Sequence, residues 1–168
     1  MDEIVRISSG VPWESIFGYS RAVRAGEWVM VSGTAGLDES GQLVGRGQLY
    51  AQVRQAICNI AAALGRLGLG LERVVRTRVY VTSLDRFADL ARAHQEMFGA
   101  ARPASTVVQV ARLVHPDILV EIEADAYAGP AVTTAAEPTA AVRAVPASKG
   151  RASRKGVSGL RRKLARRR

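Results

Sequence analysis

Three acidic residues alternate with apolar residues in the segment ILVEIEADAY, residues 118–127. Successive side chains of a β-strand point to opposite faces of its sheet, so Glu121, Glu123 and Asp125 would share one face. Burying an unpaired carboxylate costs several kcal/mol, and the face that carries three of them is therefore not an apolar core. The pattern predicts a sheet face that meets water, cations or a partner subunit.

The segment RVVRTRVYV, residues 73–81, offers positive charges that match these carboxylates. It alternates as a strand and places Arg76 and Arg78 on one face. The opposite face would carry Val75, Thr77, Val79 and Val81. The spacing favours a ladder of arginine–carboxylate pairs between neighbouring strands, at a wet or intersubunit face. The alternative is that a carboxylate of this face takes part in catalysis.

The other reactive residues form no recognised catalytic or metal-binding pattern. The sequence has no phosphate-binding loop, no Cys/His metal spacing and no nucleophile elbow. His94 lies on the apolar stripe of a predicted helix and is interpreted as a packed or interface residue, and His115 as a polar residue of a turn. Cys58, the single cysteine, is interpreted as a small core or interface residue. We therefore predict no metal and no cofactor.

The elements that must position these residues follow from hydrophobic periodicity. Strands are predicted in residues 3–8 and, as a hairpin that turns at residues 25–27, in residues 21–33. A helix is predicted over residues 47–67, followed by the strand 73–81 and a second helix from Ser83, its N-cap, to Phe98. The last two strands are predicted over residues 104–113 and 118–127, joined by a turn. The order β-β-β-α-β-α-β-β indicates an α+β fold.

The compartment is suggested only by general features. A single cysteine forms no internal disulfide, which is typical of a reducing compartment. The N-terminus MDEIVRISSG lacks the apolar stretch of a secretory signal, and no segment approaches the ~20 apolar residues of a membrane span. We expect a cytoplasmic protein with no transmembrane segment.

The net charge of +9 is unevenly distributed along the 168 residues. Residues 1–130 contain 13 Arg and 14 Asp or Glu, whereas residues 131–168 contain 11 Lys or Arg and one acid, Glu137. We predict a folded domain over residues 1–129, an Ala/Thr/Pro linker over 130–148, and a basic tail over 149–168 that is disordered when free.

The basic tail is a candidate polyanion-binding segment. Its basic residues are Lys149, Arg151, Arg154, Lys155, Arg161, Arg162, Lys163, Arg166, Arg167 and Arg168. Such a run predicts salt-dependent contacts with phosphates, and the absence of aromatic residues argues against stacking on bases. Nucleic acid, an acidic protein or an anionic membrane surface would all serve as partners, and a merely solubilising tail is the remaining alternative.

Two signatures in this element order resemble the RidA/YjgF family of reactive-intermediate deaminases. They are YSRAVRAGEWVMVSG, residues 19–33, and VQVARL…VEIEADAYA, residues 108–128, and the resemblance spans about residues 10–128. It implies a chorismate-mutase-like homotrimer, with a mixed sheet, two helices on one sheet face and ligand clefts between subunits. Typical deaminating members hydrolyse imines or enamines of amino acids, such as 2-aminoacrylate, without metal or cofactor.

Carried over by position, the resemblance assigns roles to several residues. Tyr19 matches the tyrosine of the cleft, and Ser32 and Gly33 match the Ser-Gly whose backbone approaches the ligand. Glu121 matches the glutamate that positions the attacking water. Ser105 stands where deaminating members carry the arginine that anchors the substrate carboxylate.

The serine at position 105 changes the expected ligand. Arg102 lies three residues earlier, before Pro103, and is interpreted as a loop residue that could still contact a ligand. A serine lacks the bidentate charged fork of arginine, and loss of a charged anchor costs ~2–5 kcal/mol. We therefore predict a member of an arginine-lacking branch, whose cleft binds a small ligand that is uncharged or differently anchored.

Two classes of function remain open at this point. In the first, the protein is a trimeric hydrolase of some imine, enamine or related labile metabolite, or a binder of such a compound, and it is not a typical 2-aminoacrylate deaminase. In the second, it is a non-catalytic scaffold whose tail binds nucleic acid or another polyanion. A nuclease is not favoured, because no metal-binding carboxylate cluster or histidine pair suited to phosphodiester cleavage is present.

Overall fold

The structure of the chain, a computed structural model, describes residues 4–130. The strands are β1 (Ile4–Ile7), β2 (Ala22–Ala25), β3 (Trp28–Thr34), β4 (Val74–Val81), β5 (Ala104–Gln109) and β6 (Val120–Tyr127). The helices are α1 (Pro12–Phe17), α2 (Leu49–Gly65) and α3 (Phe87–Phe98), with one 3-10 turn at Leu71–Arg73. The predictions for the basic tail, and for the linker beyond residue 130, lie outside the described residues.

The six strands form one mixed sheet in the order β1-β2-β3-β6-β4-β5. All neighbouring pairs are antiparallel except β4 and β5, which are parallel and are connected through α3. The last strand of the chain, β6, therefore lies at the centre of the sheet, and β5 lies at one edge. The predicted α+β class is confirmed.

The apolar core lies between the sheet and the helices α2 and α3, on the face that we call the helix face. The side chains of β6 alternate, and Val120, Ile122, Ala124 and Ala126 are fully buried on this face. The predicted stripe of α2 packs against them, with Val53, Ala56, Ile57, Ile60 and Leu64 fully buried. Both long helices thus cover one face of the sheet, as expected.

The opposite sheet face, which we call the open face, is not covered by a helix in residues 4–130. Cross-strand register places on it Trp28, Met30, Arg76, Arg78, Tyr80, Thr106, Val108, Glu121, Glu123 and Asp125. Several of its apolar side chains are exposed, including Trp28 at 50% and Met30 at 41%. The face therefore mixes charge with exposed apolar surface.

The buried amide of Gln52 fixes the loop that leads into β6. Its Nε2 donates to the carbonyl oxygen of Asp117 (2.9 Å), and its Oε1 accepts from the amide of Leu119 (2.8 Å). The side chain is fully buried, so these hydrogen bonds replace the water that it loses. Helix α2 thereby holds the start of the strand that carries the three carboxylates.

Helix α1 was not predicted. It begins with Pro12, which suits the first helical position, and ends at Gly18, whose φ of 77° is in the left-handed region. Six residues are too few to show a helical period. The helix leaves Trp13, Ile16 and Phe17 exposed at 59%, 71% and 83%.

Two predictions about local geometry were wrong. Ser83 is not a helix N-cap, because its Oγ accepts from the amide of Asp85 (3.0 Å) in a turn and α3 begins only at Phe87. Val75 does not share a face with Thr77, because the pairing of β4 with β6 shifts between Val74 and Arg76. This irregularity turns Val74 into the core and leaves Val75 41% exposed.

No helix within residues 4–130 is long and apolar enough to cross a membrane.

Candidate functional site

The residues predicted to contact a ligand fall into two groups on opposite faces of the sheet. Glu121 lies on the open face, and Gly33 and Tyr19 lie near it. Ser105 is the register partner of Thr77 in β4, which in turn pairs with the buried Ala124 of β6. Ser105 therefore belongs to the helix face, at the edge strand β5. The two groups do not line a common cleft within one copy of residues 4–130.

The three carboxylates of β6 have different environments. Arg78 forms ion pairs with Glu123 (3.4 Å) and Asp125 (3.1 Å), so the predicted ladder exists for these two residues. Glu121 forms no hydrogen bond or ion pair with any other residue of the described chain. Arg76 likewise makes no ion pair within residues 4–130. Glu121 is thus a carboxylate whose oxygens are left for a ligand or water.

Burial raises the pKa of Glu121, and the neighbouring charge of Glu123 raises it further, whereas the charge of Arg21 lowers it. The net pKa lies above the usual value of a glutamate. A half-buried carboxylate with a raised pKa is a stronger base than an exposed one, and it can take a proton from a bound water. The environment of Glu121 therefore suits the water-positioning role that the sequence suggested.

Gly33 makes the position of Glu121 possible. A Cβ atom at residue 33 would clash with the carboxylate carbon and oxygen of Glu121. The pairing of β3 with β6 shifts between Val31 and Thr34, so two residues of β3 oppose one residue of β6 at this point. Such a bulge bends a strand and re-aims its side chains, and here it brings the backbone of Gly33 against the carboxylate.

The polar groups of Ser32 form hydrogen bonds within the chain. Its Oγ donates to the carbonyl oxygen of Ser20 (2.8 Å), and its amide donates to the carbonyl oxygen of Arg21 (3.0 Å). These bonds tie β3 to the segment that carries Tyr19. The hydroxyl proton of Ser32 is therefore engaged, and its oxygen is the atom left to accept from a ligand.

Arg21 is the residue of this region that sequence reasoning missed. Its Nη1 donates to the carbonyl oxygen of Gly33 (2.8 Å) and to Oγ1 of Thr34 (3.0 Å), and its Nη2 donates to the hydroxyl of Tyr19 (2.8 Å). The side chain is 12% exposed. The sequence signal for Arg21 was its position two residues after Tyr19, in the segment YSRAV. The residue was instead interpreted as part of a strand. We call Tyr19, Arg21, Gly33 and Glu121 the Glu121 half-site.

Helix α1 and its carboxylate hold Tyr19 in place. The amides of Gly18 and Tyr19 both donate to the carbonyl oxygen of Glu14 (2.9 and 3.0 Å). Burial alone would raise the pKa of the Glu14 carboxyl, but hydrogen bonds from Ser8 and Ser9 and the charge of Arg21 bring the net pKa below its usual value. The Glu14 carboxylate therefore stays charged and holds Ser8 and Ser9, while the backbone carbonyl of Glu14 anchors the turn from which Tyr19 projects.

Ser105 ends a chain of three polar side chains. Thr77, which is fully buried, donates its Oγ1 proton to Oγ of Ser105 (2.9 Å) and contacts Nε2 of His94 (3.2 Å). Because a hydroxyl has a single proton, Thr77 must accept from His94, which places a proton on Nε2. Burial lowers the pKa of His94 and favours the neutral ring. The proton of Ser105 is therefore directed to another acceptor. We call Ser105, Thr77 and His94 the Ser105 half-site.

Arg102 lies in the loop before β5, as predicted. Its φ is 47°, and its amide donates to the carbonyl oxygen of Phe98 (2.8 Å). A left-handed residue before a proline is uncommon and costs ~1–3 kcal/mol, so this loop conformation is held by its surroundings. Arg102 is outside the alternation of β5 and does not take the place of an arginine at position 105.

The remaining candidates have modest roles. His115 is exposed, and its Nδ1 accepts from the amide of Asp117 (3.2 Å), which is consistent with a polar turn residue. Cys58 is exposed on α2, so its assignment to the core was wrong for a single chain. No group of three or more His, Cys, Asp or Glu side chains within residues 4–130 is arranged to hold a metal.

Two surface concavities of the described chain are lined by residues outside both half-sites. One of about 760 Å³ is lined by Val5, Arg24, Ala25, Gly26, Glu27, Trp28 and Leu67. The other, of about 260 Å³, is on the open face and is lined by Arg76, Arg78, Val79, Tyr80, Thr106 and Val108. Neither concavity is lined by Glu121 or Ser105, and neither brings the two half-sites together.

Comparisons with known proteins agree with this fold. The family model described as Endoribonuclease L-PSP matches residues 11–128. The Streptomyces coelicolor protein named "Uncharacterized protein SCO2049" is 38% identical over 128 residues, which cover 76% of this chain and 95% of that protein. The Mus musculus protein named 2-iminobutanoate/2-iminopropanoate deaminase is 35% identical over 133 residues, covering 77% of this chain and 97% of that protein.

A solved structure extends the likeness to three dimensions. The crystal structure of Rv2704 from Mycobacterium tuberculosis, a member of the YjgF/YER057c/UK114 family, has 45% sequence identity and a TM-score of 0.68. The likeness covers 74% of this chain and 99% of that one. Together with the family-model match over residues 11–128, it shows that the chain belongs to the RidA/YjgF family, which the endoribonuclease L-PSP model describes.

Proposed function

We propose that this protein is a homotrimeric, cofactor-independent hydrolase of a small imine or enamine, with its active site between subunits. The observation that carries the proposal is the carboxylate of Glu121. It is half-buried, has a raised pKa, and receives no hydrogen bond from the described chain. A carboxylate in this state is costly unless it serves a ligand or a water.

A site between copies would unite the two half-sites. The Glu121 half-site and the Ser105 half-site lie on opposite sheet faces of one chain, and β5 is an edge strand. A neighbouring copy docked against that edge could bring its own Glu121 half-site to Ser105. Exposed apolar residues such as Trp28, Met30 and Val108 on the open face favour such an association.

The chemistry of the two half-sites fits imine hydrolysis. Water adds to the carbon of C=NH while Glu121 takes a proton from that water and passes it to the imine nitrogen, which gives a carbinolamine. Glu121 then takes the hydroxyl proton of the carbinolamine and returns it to the nitrogen, so that the C–N bond breaks, ammonia leaves and C=O remains. The hydroxyls of Tyr19 and Ser105 each have a proton to donate to the substrate's nitrogen or oxygen. A relative whose name is 2-iminobutanoate/2-iminopropanoate deaminase supports the choice of substrate class.

Ser105 sets the expected selectivity. The hydroxyl donates a neutral hydrogen bond where a guanidinium would bind a carboxylate with two charged ones. The loss is ~2–5 kcal/mol for a carboxylate-bearing imine. The proposed substrate is therefore a neutral or otherwise anchored imine, and 2-iminopropanoate should be a poor substrate.

The test is ammonia release from enzymatically generated 2-iminopropanoate. We expect the wild-type rate to lie well below that of the mouse deaminase, and the Ser105→Arg variant to gain activity. Thr106→Arg is the matched control, because it adds the same charge one residue along β5, on the open face. Wild-type turnover equal to that of the mouse protein would contradict the proposal, and so would an equal gain in both variants.

A second candidate function is suggested by the charge distribution of the chain. The residues from 131 onward hold 11 Lys or Arg against one acid, whereas the domain before them is nearly neutral. In this alternative the trimer presents its basic tails to nucleic acid or another polyanion. We expect a mobility shift of duplex nucleic acid that weakens steeply with salt and is lost when the chain ends at Gly129. Binding that survives this truncation would contradict the alternative.

A further inference from the structure

We infer that Arg21 is the positioning residue of the Glu121 half-site: its guanidinium fixes the Tyr19 hydroxyl as a donor and holds the Gly33 backbone against the Glu121 side chain. The inference deepens the proposed function, because it rests on Tyr19 and Glu121 facing the ligand. It also defines the ligand further, as a compound that presents a hydrogen-bond acceptor, such as a carbonyl oxygen or an imine nitrogen, to Tyr19.

The contacts of Arg21 join three separate parts of the chain. A guanidinium has five N–H donors in a planar fork, and here three of its hydrogen bonds reach Tyr19, Gly33 and Thr34. Gly33 in turn has the Glu121 carboxylate packed against its Cα. Arg21 therefore links the loop before β2, the bulge of β3 and the carboxylate of β6.

The hydrogen bond from Arg21 decides the direction of the Tyr19 hydroxyl. Arg21 Nη2 donates to Tyr19 Oη (2.8 Å), and a guanidinium cannot accept a hydrogen bond. The phenolic proton must therefore point elsewhere, and no acceptor for it lies within residues 4–130. A ligand acceptor beside Tyr19 would complete this bond.

The charges around Glu121 show why a cation is needed there. Glu123 on the same strand raises the pKa of Glu121, and Tyr80 faces it from β4. Arg78 is already paired with Glu123 and Asp125. Arg21 lowers the pKa of Glu121, although it is shared with Glu14 at 3.8 Å. Without Arg21, burial and like charge would drive Glu121 towards the protonated form, which cannot accept a proton from water.

Lysine would not replace this arginine. A lysine ammonium keeps the charge but lacks the planar fork that reaches three acceptors on different segments. The Arg21→Lys variant should therefore keep part of the effect on Glu121 and lose the fixed direction of the Tyr19 hydroxyl. This split separates the electrostatic role of Arg21 from its geometric one.

The experiment is a ligand-free NMR titration of the full-length protein with ¹³C-labelled glutamate carboxyls, in which Glu121 is assigned from Glu121→Gln. In Arg21→Gln we expect the titration midpoint of Glu121 to move to higher pH, and in Arg21→Lys to move less. Arg24→Gln is the matched control, since it removes the same charge three residues along the chain and Arg24 donates only to the carbonyl oxygen of Gly26. An unchanged midpoint in Arg21→Gln, or an equal change in Arg24→Gln, would overturn the inference.

A second measurement on the unaltered protein guards against a variant that does not fold. The ¹⁵N signals of the Arg21 guanidinium should shift with pH at the same midpoint as the Glu121 carboxyl. Guanidinium signals that do not change at the Glu121 midpoint would overturn the inference. Neither measurement uses a substrate, so a failure of the proposed hydrolysis would leave the role of Arg21 standing and would be recognised separately.

Discussion

Glu121 differs from the two other carboxylates of β6 in its contacts with positively charged side chains. Glu123 and Asp125 share Arg78, whereas Glu121 forms no ion pair within residues 4–130 and lies against the backbone of Gly33. Exposed ion pairs of the Arg78 kind contribute ~0–1 kcal/mol and mainly keep the open face charged. A carboxylate without a donor in the described part of its own chain is instead available for chemistry.

The closeness of Gly33 and Glu121 leads to a stability prediction. In Gly33→Ala the added methyl group would meet the Glu121 carboxylate, which is the flexible end of its side chain and must turn away; we expect a loss of ~0.5–1.5 kcal/mol in the free energy of unfolding. The matched control is Gly65→Ala in α2, where nothing lies within 4 Å of the added Cβ. This control should be neutral or gain up to ~1 kcal/mol from helix propensity. Urea unfolding measures both, and a neutral Gly33→Ala would contradict the geometry.

At the scale of the elements, a polar chain connects α3, β4 and β5 across the apolar core. His94 of α3 contacts the buried Thr77 of β4, which donates to Ser105 of β5. His94 also packs against the ring of Phe98, with the ring centroids 4.8 Å apart. This arrangement gives the edge strand a fixed side chain at the position where the family resemblance implies a ligand contact.

The His94 side chain of this group of polar residues predicts a pH dependence of the free energy of unfolding. Burial holds the pKa of His94 in the folded protein below its unfolded value of 6.5. Below pH 6.5 His94 binds a proton more readily in the unfolded chain than in the folded chain, which lowers the free energy of unfolding. The stability associated with neutral His94 is therefore fully present above this pH and is lost as the pH falls. Urea unfolding on both sides of this pH should show the loss in wild type and in the control His115→Gln, and a smaller loss in His94→Gln. Equal losses in all three proteins would be inconsistent with a buried, neutral His94.

Much of the element pattern was predictable from periodicity, and the exceptions have local causes. The alternation of β6 and the apolar stripe of α2 are long and regular, and both are confirmed. Val75 was misplaced because one irregular pairing inverts the strand positions before Arg76, and a sequence does not mark it. Arg21 was missed because a strand-like position says nothing about a side chain that folds back onto Tyr19 and Gly33.

At the scale of the whole molecule, a single described chain carries two incomplete half-sites and a sheet face with no helix over it. Edge strands and exposed apolar faces are usually covered in folded proteins, and here a second and third copy would cover them. Catalysis is therefore a property of the proposed assembly, in which Glu121 of one copy and Ser105 of a neighbour contact the same ligand.

The most direct test is a crystal structure of the full-length protein soaked with a small neutral ketone. We expect a trimer in which each ligand contacts Tyr19 and Glu121 of one subunit and Ser105 of the next, with no guanidinium hydrogen-bonded to the ligand. A monomer, a ligand held by residues of a single subunit, or an arginine such as Arg102 bound directly to the ligand would contradict it.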